Sequence, residues 1–158
     1  MNLPSHYSLQ VVQLKEIEDM VHESAPEFMD SINSKEDIYQ LLLQFSQQPN
    51  FYLLVLKNNL NEIAGYISNI NYKNLTDTAA IGPMYISKRY RGLGLGKLQV
   101  ELFMKYIKLK GFKKVITKTW SSNKGSRRIF EELGFNIDKI TENDRANGDS
   151  TIKYIKDL

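Results

Sequence analysis

Cysteine is absent from this 158-residue chain, which excludes a disulfide framework, a thiolate metal site and a cysteine nucleophile. Its two histidines, His6 and His22, read as surface residues rather than bases, and no set of side chains points to a bound metal. No apolar run approaches the roughly 20 residues of a membrane-spanning helix. The opening residues MNLPSHYSLQ lack the charged start and long apolar stretch of a secretory signal, so no membrane partner and a cytoplasmic location are expected. What is present is ordinary for a folded protein: 42% apolar residues, 25% charged residues and 17 aromatics. That is enough apolar surface for a core, and the length fits a single domain over 1–158. Disordered, collagen-like and low-complexity classes are excluded.

The formal net charge of +3 conceals an uneven distribution. Residues 87–128 carry 13 of the 21 Lys+Arg and one acid, Glu101, a local excess of +12. The flanks are acidic: 1–86 contribute −6 and 129–158 contribute −3. By charge alone a solvated face would serve as well as a binding surface, but apolar residues and glycines interleave with the basic ones in a pattern that folds. An anionic ligand is therefore the first class to consider.

Apolar spacing predicts a strand at 7–13, helices at 15–22 and 35–46, and strands at 51–57 and 62–71 joined by the turn Asn58-Asn59-Leu60-Asn61. Ser34, three residues before Asp37, marks a start for the second helix. The strand predicted at 79–87 contains Gly82-Pro83, and because proline cannot donate to a sheet ladder it should bulge or splay there. A helix at 96–110 ending before Gly111, a strand at 113–120, a helix capped by Ser122 or Asn123 and ended by Gly134, and strands at 135–140 and 151–155 complete the order. The fold class is α/β: one mixed, mostly antiparallel sheet of about seven strands flanked by about four helices.

Tyr85 to Leu98 (YISKRYRGLGLGKL) carries the chemistry. A strand passes through a turn with glycines at 92, 94 and 96 straight into a helix, whose first turn has unpaired N–H groups and the positive end of the dipole. This pattern suits phosphate, and the flanking charges of Arg91 and Lys97 suit a diphosphate. Three familiar phosphate motifs fail on spacing. The dinucleotide fingerprint would need glycine at Lys97, the Walker A loop would need glycine at Arg91 and Ser or Thr at Leu98, and a kinase glycine loop needs a catalytic loop and a length that this chain lacks.

The pattern that fits is [QR]-x-x-G-x-[GA], met by Arg91, Gly94 and Gly96. Downstream, Asn123-x-x-Ser126-x-x-x-Phe130-x-x-x-Gly134-Phe135 follows N-x-x-A-x-x-x-Y-x-x-x-G-F. With both segments in order, the chain resembles the GNAT superfamily of acyl-CoA N-acyltransferases over roughly 50–140. The resemblance implies acetyl-CoA in a cleft beside the bulged strand, with backbone groups of Met84 and Ile86 on the pantetheine arm. It further implies that the amides of Gly92, Leu93, Gly94, Leu95, Gly96 and Lys97 hold the pyrophosphate with Arg91 beside it, and that Asn123 bonds the arm from the opposite side. Asn123 also suits a simple helix cap.

Two positions depart from the family. The tyrosine that many members use to reprotonate the CoA thiolate is Phe130, which has no proton to give, and a glutamate of the branch that acetylates protein N-termini is Lys118. The catalytic residues are thus unassigned. Tyr85, Tyr90 and Tyr154 are substitute acids to weigh against ordinary packing roles, as are Asp144, Arg145 and Asp149 against a polar turn. The expected reaction is direct acetyl transfer to an amine, from a small molecule or a peptide, by a monomer or homodimer. The acidic residues Glu16, Glu18, Asp19, Glu23, Glu27, Asp30, Glu36 and Asp37 would favour a cationic acceptor. An acyl-CoA-binding module without catalysis is the alternative. Nucleic-acid binding ranks below both, because the basic segment's glycines and periodicity already have a use.

Overall fold

Seven segments in which apolar residues alternate or run together pair into one sheet of order β1-β2-β3-β4-β5-β7-β6. The computed structural model describes residues 6–28, 37–71 and 75–158. The strands are β1 (Ser8–Val11), β2 (Leu53–Lys57), β3 (Ile63–Asn71), β4 (Thr78–Ile86), β5 (Lys114–Trp120), β6 (Asn136–Thr141) and β7 (Thr151–Asp157). Four helices accompany them: α1 (Glu18–Phe28), α2 (Ile38–Ser46), α3 (Leu95–Leu109) and α4 (Lys124–Glu132). Every neighbouring pair is antiparallel except β4 and β5, which α3 joins as a crossover. No described helix is long and apolar enough to cross a membrane.

The two faces of the sheet have separate cores. Val100, Phe103 and Ile107 of α3 and Phe130 of α4 pack with Leu54, Ile81, Val115 and Tyr154 on one face. Val21 of α1 and Ile38 and Leu42 of α2 pack with Leu53, Val55, Tyr66 and Tyr85 on the other. Buried apolar side chains on both sides of a strand explain why β2 reads as a continuous hydrophobic run.

Two irregularities in β4 shape the middle of the sheet. Between the pairs Ile67↔Met84 and Asn69↔Ile81, β4 spends one more residue than β3, so the bulge falls at Gly82-Pro83 as expected; Ser68 donates its hydroxyl to the Pro83 carbonyl across it at 3.0 Å. Pairing of β4 with β5 covers only Thr78↔Lys114, Ala79↔Val115 and Ala80↔Ile116. Past Ala80 and Ile116 the strands part, which is the predicted splay.

The first helix runs further than its sequence suggests. A 3-10 turn (Leu14–Ile17) leads into α1, which continues to Phe28 with Pro26 inside it. Pro26 is exposed, while Ser24 bonds Tyr66 at 2.8 Å and Phe28 packs on the same core, so tertiary contacts hold the last turn. The expected cap Ser34 lies outside the described residues. Asp37 caps α2, accepting from the Tyr39 amide at 3.4 Å.

Candidate active site

The split between β4 and β5 exposes backbone. Ser87 donates its N–H to Ala64 of β3 at 2.9 Å, and groups alternate sides along a strand, so those of Ile86 and Met84 point away from β3 into the gap. These are the two residues assigned to the cofactor arm from sequence. The Ile86 carbonyl is already in use, accepting from Arg91 Nε at 2.9 Å.

Beyond β4 a 3-10 turn (Lys88–Tyr90) leads to the glycine turn. Gly92 and Gly94 have φ of +77° and +75°, left-handed backbone that glycine adopts without strain, and a Cβ on either would meet nothing within 4 Å. Leu98 is the first residue to bond back into α3, reaching the Gly94 carbonyl at 3.2 Å, so the N–H groups of Leu95, Gly96 and Lys97 have no intrahelical acceptor. Leu93 is exposed beside them. The third glycine does different work: a Cβ on Gly96 would come within 2.9 Å of Ile129 Cδ1, so this position lets α3 approach α4. Backbone conformation accounts for two glycines and helix packing for the third.

The basic side chains here are tethered. Arg91 donates from Nη2 to both carboxylate oxygens of Glu27 of α1, at 2.7 and 2.8 Å, and lies over the Tyr85 ring. Lys97 reaches Glu132 of α4 at 3.5 Å, and Glu132 is held below the usual carboxylate range by Arg128 and then Lys97. Across the split, Asn123 caps α4, its Oδ1 accepting from the Ser126 amide at 3.2 Å; the cap does not use Nδ2.

Phe130 is 2% exposed and enclosed by the rings of Phe135 and Tyr154, at 5.3 and 5.5 Å. The Tyr154 phenol donates to Glu131 at 2.9 Å under α4, and burial raises its pKa. Tyr90 sits on the surface turn, its hydroxyl accepting from Arg89. Tyr85 faces α1 beside the gap and donates to Glu23 at 3.2 Å; burial, and then the Glu23 charge, raise its pKa. Ser87 donates to the same Glu23 oxygen at 3.0 Å. Glu23 appeared in the sequence only as one acid among many, and its fixed position at the end of β4 comes from contacts 62 and 64 residues away. His22 stacks on Tyr39 and contacts Glu18 and Asp37, on the side of α1 toward α2.

The loop between β6 and β7 is strapped to the end of β5. Asp149 accepts from Ser121 and Ser122 at 2.9 and 2.6 Å, hydroxyl bonds that lower its pKa, and Asp144 takes the Thr151 amide and hydroxyl. Arg145 lies over the Trp120 ring at 5.3 Å. Lys118 is on an exposed position of β5.

A mixed sheet that opens beside a glycine turn and a helix N-terminus is the architecture of an acetyltransferase fold, and known structures agree. The spermidine/spermine N-acetyltransferase of Vibrio cholerae superposes with a TM-score of 0.77 at 12% identity, covering 99% of this chain and 95% of its own. The ribosomal-protein-S18-alanine N-acetyltransferase of Escherichia coli gives 0.76 at 15% identity, covering 96% and 94%. The IAA acetyltransferase of Bacillus cereus gives 0.75 at 15%, covering 96% and 99%. No curated protein matches the sequence. The sequence model of the acetyltransferase (GNAT) family matches residues 17–135, and the chain belongs to that family.

Proposed function

We propose that this protein is a cytoplasmic N-acetyltransferase that moves an acetyl group from acetyl-CoA to an amine bound beside it. The observation that carries the reading is the coincidence of three features at one end of the sheet. These are the gap with outward-facing backbone of Met84 and Ile86, the cradle of Gly92, Leu93, Gly94, Leu95, Gly96 and Lys97, and the unused Nδ2 of Asn123. In this reading the cradle amides hold the pyrophosphate, Met84 and Ile86 align the pantetheine arm, and Asn123 holds it from the α4 side. Arg91 joins the pyrophosphate by exchanging its Glu27 partner for phosphate oxygens.

When bound, acetyl-CoA supplies an already activated thioester, so a neutral amine needs mainly proximity and a route for its proton. Glu23, fixed by Tyr85 and Ser87, offers a carboxylate on the acceptor side that binds an ammonium group and can take its proton. Tyr85, held protonated by burial and by Glu23, positions that carboxylate. The acids of α1 extend the same preference for a cationic amine.

Titration of acetyl-CoA followed by CoA thiol release across polyamines, aminoglycosides, amino acids, peptides and anionic amines tests this. Turnover of cationic acceptors, lost in Glu23→Gln, is expected; turnover of anionic acceptors alone would overturn the acceptor assignment. Enclosure of Phe130 in the core favours a second reading, an acyl-CoA-binding module without catalysis. Binding without release for any amine would establish it.

A further inference from the structure

Among the buried side chains described, Gln99 and Thr119 stand apart. Gln99 is fully buried and neither its amide oxygen nor its nitrogen has a partner; Thr119 is 3% exposed and its hydroxyl has none. Burial of an amide without hydrogen bonds is unfavourable, so an unpaired one in a core needs an explanation.

Their place in the fold supplies it. Gln99 lies on the buried face of α3 with Leu95, Val100 and Phe103, one turn after the glycine turn. A crossover helix between parallel strands runs antiparallel to both, so this end of α3 stands over the carboxyl ends of β4 and β5. Thr119 belongs to that end of β5, three residues past the last β4 pair at Ile116, and shares with Val115 the face that α3 covers. At this end α3 packs closely on α4, where a Cβ on Gly96 would come within 2.9 Å of Ile129 Cδ1. Both orphaned side chains thus belong to the end of the sheet where β4 and β5 have parted.

We infer that Gln99 and Thr119 form an internal polar anchor for a secondary amide of the pantetheine arm of CoA. A carboxamide offers an acceptor and donors, the complement of a secondary amide, and the hydroxyl adds a second acceptor or donor. The arm carries two such amides. The inference rests on the acetyl-CoA reading above and adds to it a contact made by side chains, where the family resemblance assigns only the Asn123 side chain and backbone to the arm. Gln99 is a binding residue in this role, not an acid or base.

The test compares CoA with adenosine 3′-phosphate 5′-diphosphate, which has the nucleotide and pyrophosphate but no arm, by calorimetry on the full chain. Gln99→Leu and the volume-conserving Gln99→Met should weaken CoA by about tenfold, the loss of one well-placed hydrogen-bonded group, and leave the armless nucleotide unchanged. Thr119→Val should do the same to a smaller degree. The melting temperature of Gln99→Met without ligand should hold or rise, because an unpaired amide has been removed. Unchanged CoA affinity, or equal loss for both ligands, would overturn the anchor. Binding of neither ligand by the unmodified protein would overturn both the anchor and the acetyl-CoA reading beneath it.

Discussion

Gly92 and Gly94 show most clearly how one residue type positions the site. Both hold left-handed backbone with open space where a Cβ would be, so Gly94→Ala meets conformational rather than steric resistance. It should destabilise by about 1 kcal/mol, read from the urea midpoint at unchanged m. Tyr66 makes the corresponding case for protonation. Burial holds its phenol far above the ordinary value near 10, and Tyr85 is raised in the same direction. Both folded values exceed the unfolded ones, so their contribution is complete below about pH 10 and is lost as pH rises beyond it. Stability measured from pH 8 to 11.5 should fall on the alkaline side. Tyr66→Phe should flatten that fall while costing about 1 kcal/mol at neutral pH through loss of the Tyr66–Ser24 hydrogen bond, Ser24 keeping its bond to the Val21 carbonyl. Residue identity told this much from sequence: three alternating glycines marked the turn proposed as the pyrophosphate cradle. That Gly96 serves helix packing was hidden, because its reason is Ile129, 33 positions away in the chain.

Strand β4 is where local chemistry becomes architecture. Gly82-Pro83 marked the bulge because a missing N–H is a local fact, and the register confirms its position. The length of the β4–β5 contact was not a local fact, and neither was the survival of α1 through Pro26, which depends on Tyr66 and the core beneath it. The β3–β4 pairing is equally specific: a Cβ on Gly65 would overlap the Tyr85 carbonyl oxygen. Gly65→Ala should therefore destabilise by about 2–4 kcal/mol by thermal or chemical unfolding, because backbone rather than a side-chain tip must move. Helix α1 also restrains the cradle through Glu27 and Arg91. This exposed pair is worth about 0–1 kcal/mol, so Glu27→Gln, by freeing Arg91, should tighten acetyl-CoA binding by up to about fivefold in calorimetry.

Across the whole molecule, charge and fold divide along the same line. The +12 segment becomes the turn after β4, the glycine turn, α3, β5 and the start of α4, while the acidic α1 lies on the opposite face of the sheet and ends against Arg91. The family and the seven-stranded sheet were both legible, since each element carried its own period and both motifs lay in order. The proposed acid–base role of Glu23 was not, because Glu23 acquires its setting only when α1 docks on β4. The most direct measurement is calorimetric titration of the unmodified protein and Gly94→Glu with acetyl-CoA, followed by thiol release on adding amines. One-to-one binding, weakened at least tenfold in Gly94→Glu by a carboxylate placed in the cradle, with amine-dependent release, is the expected result. Absence of binding by the unmodified protein, or equal binding by Gly94→Glu, would contradict it.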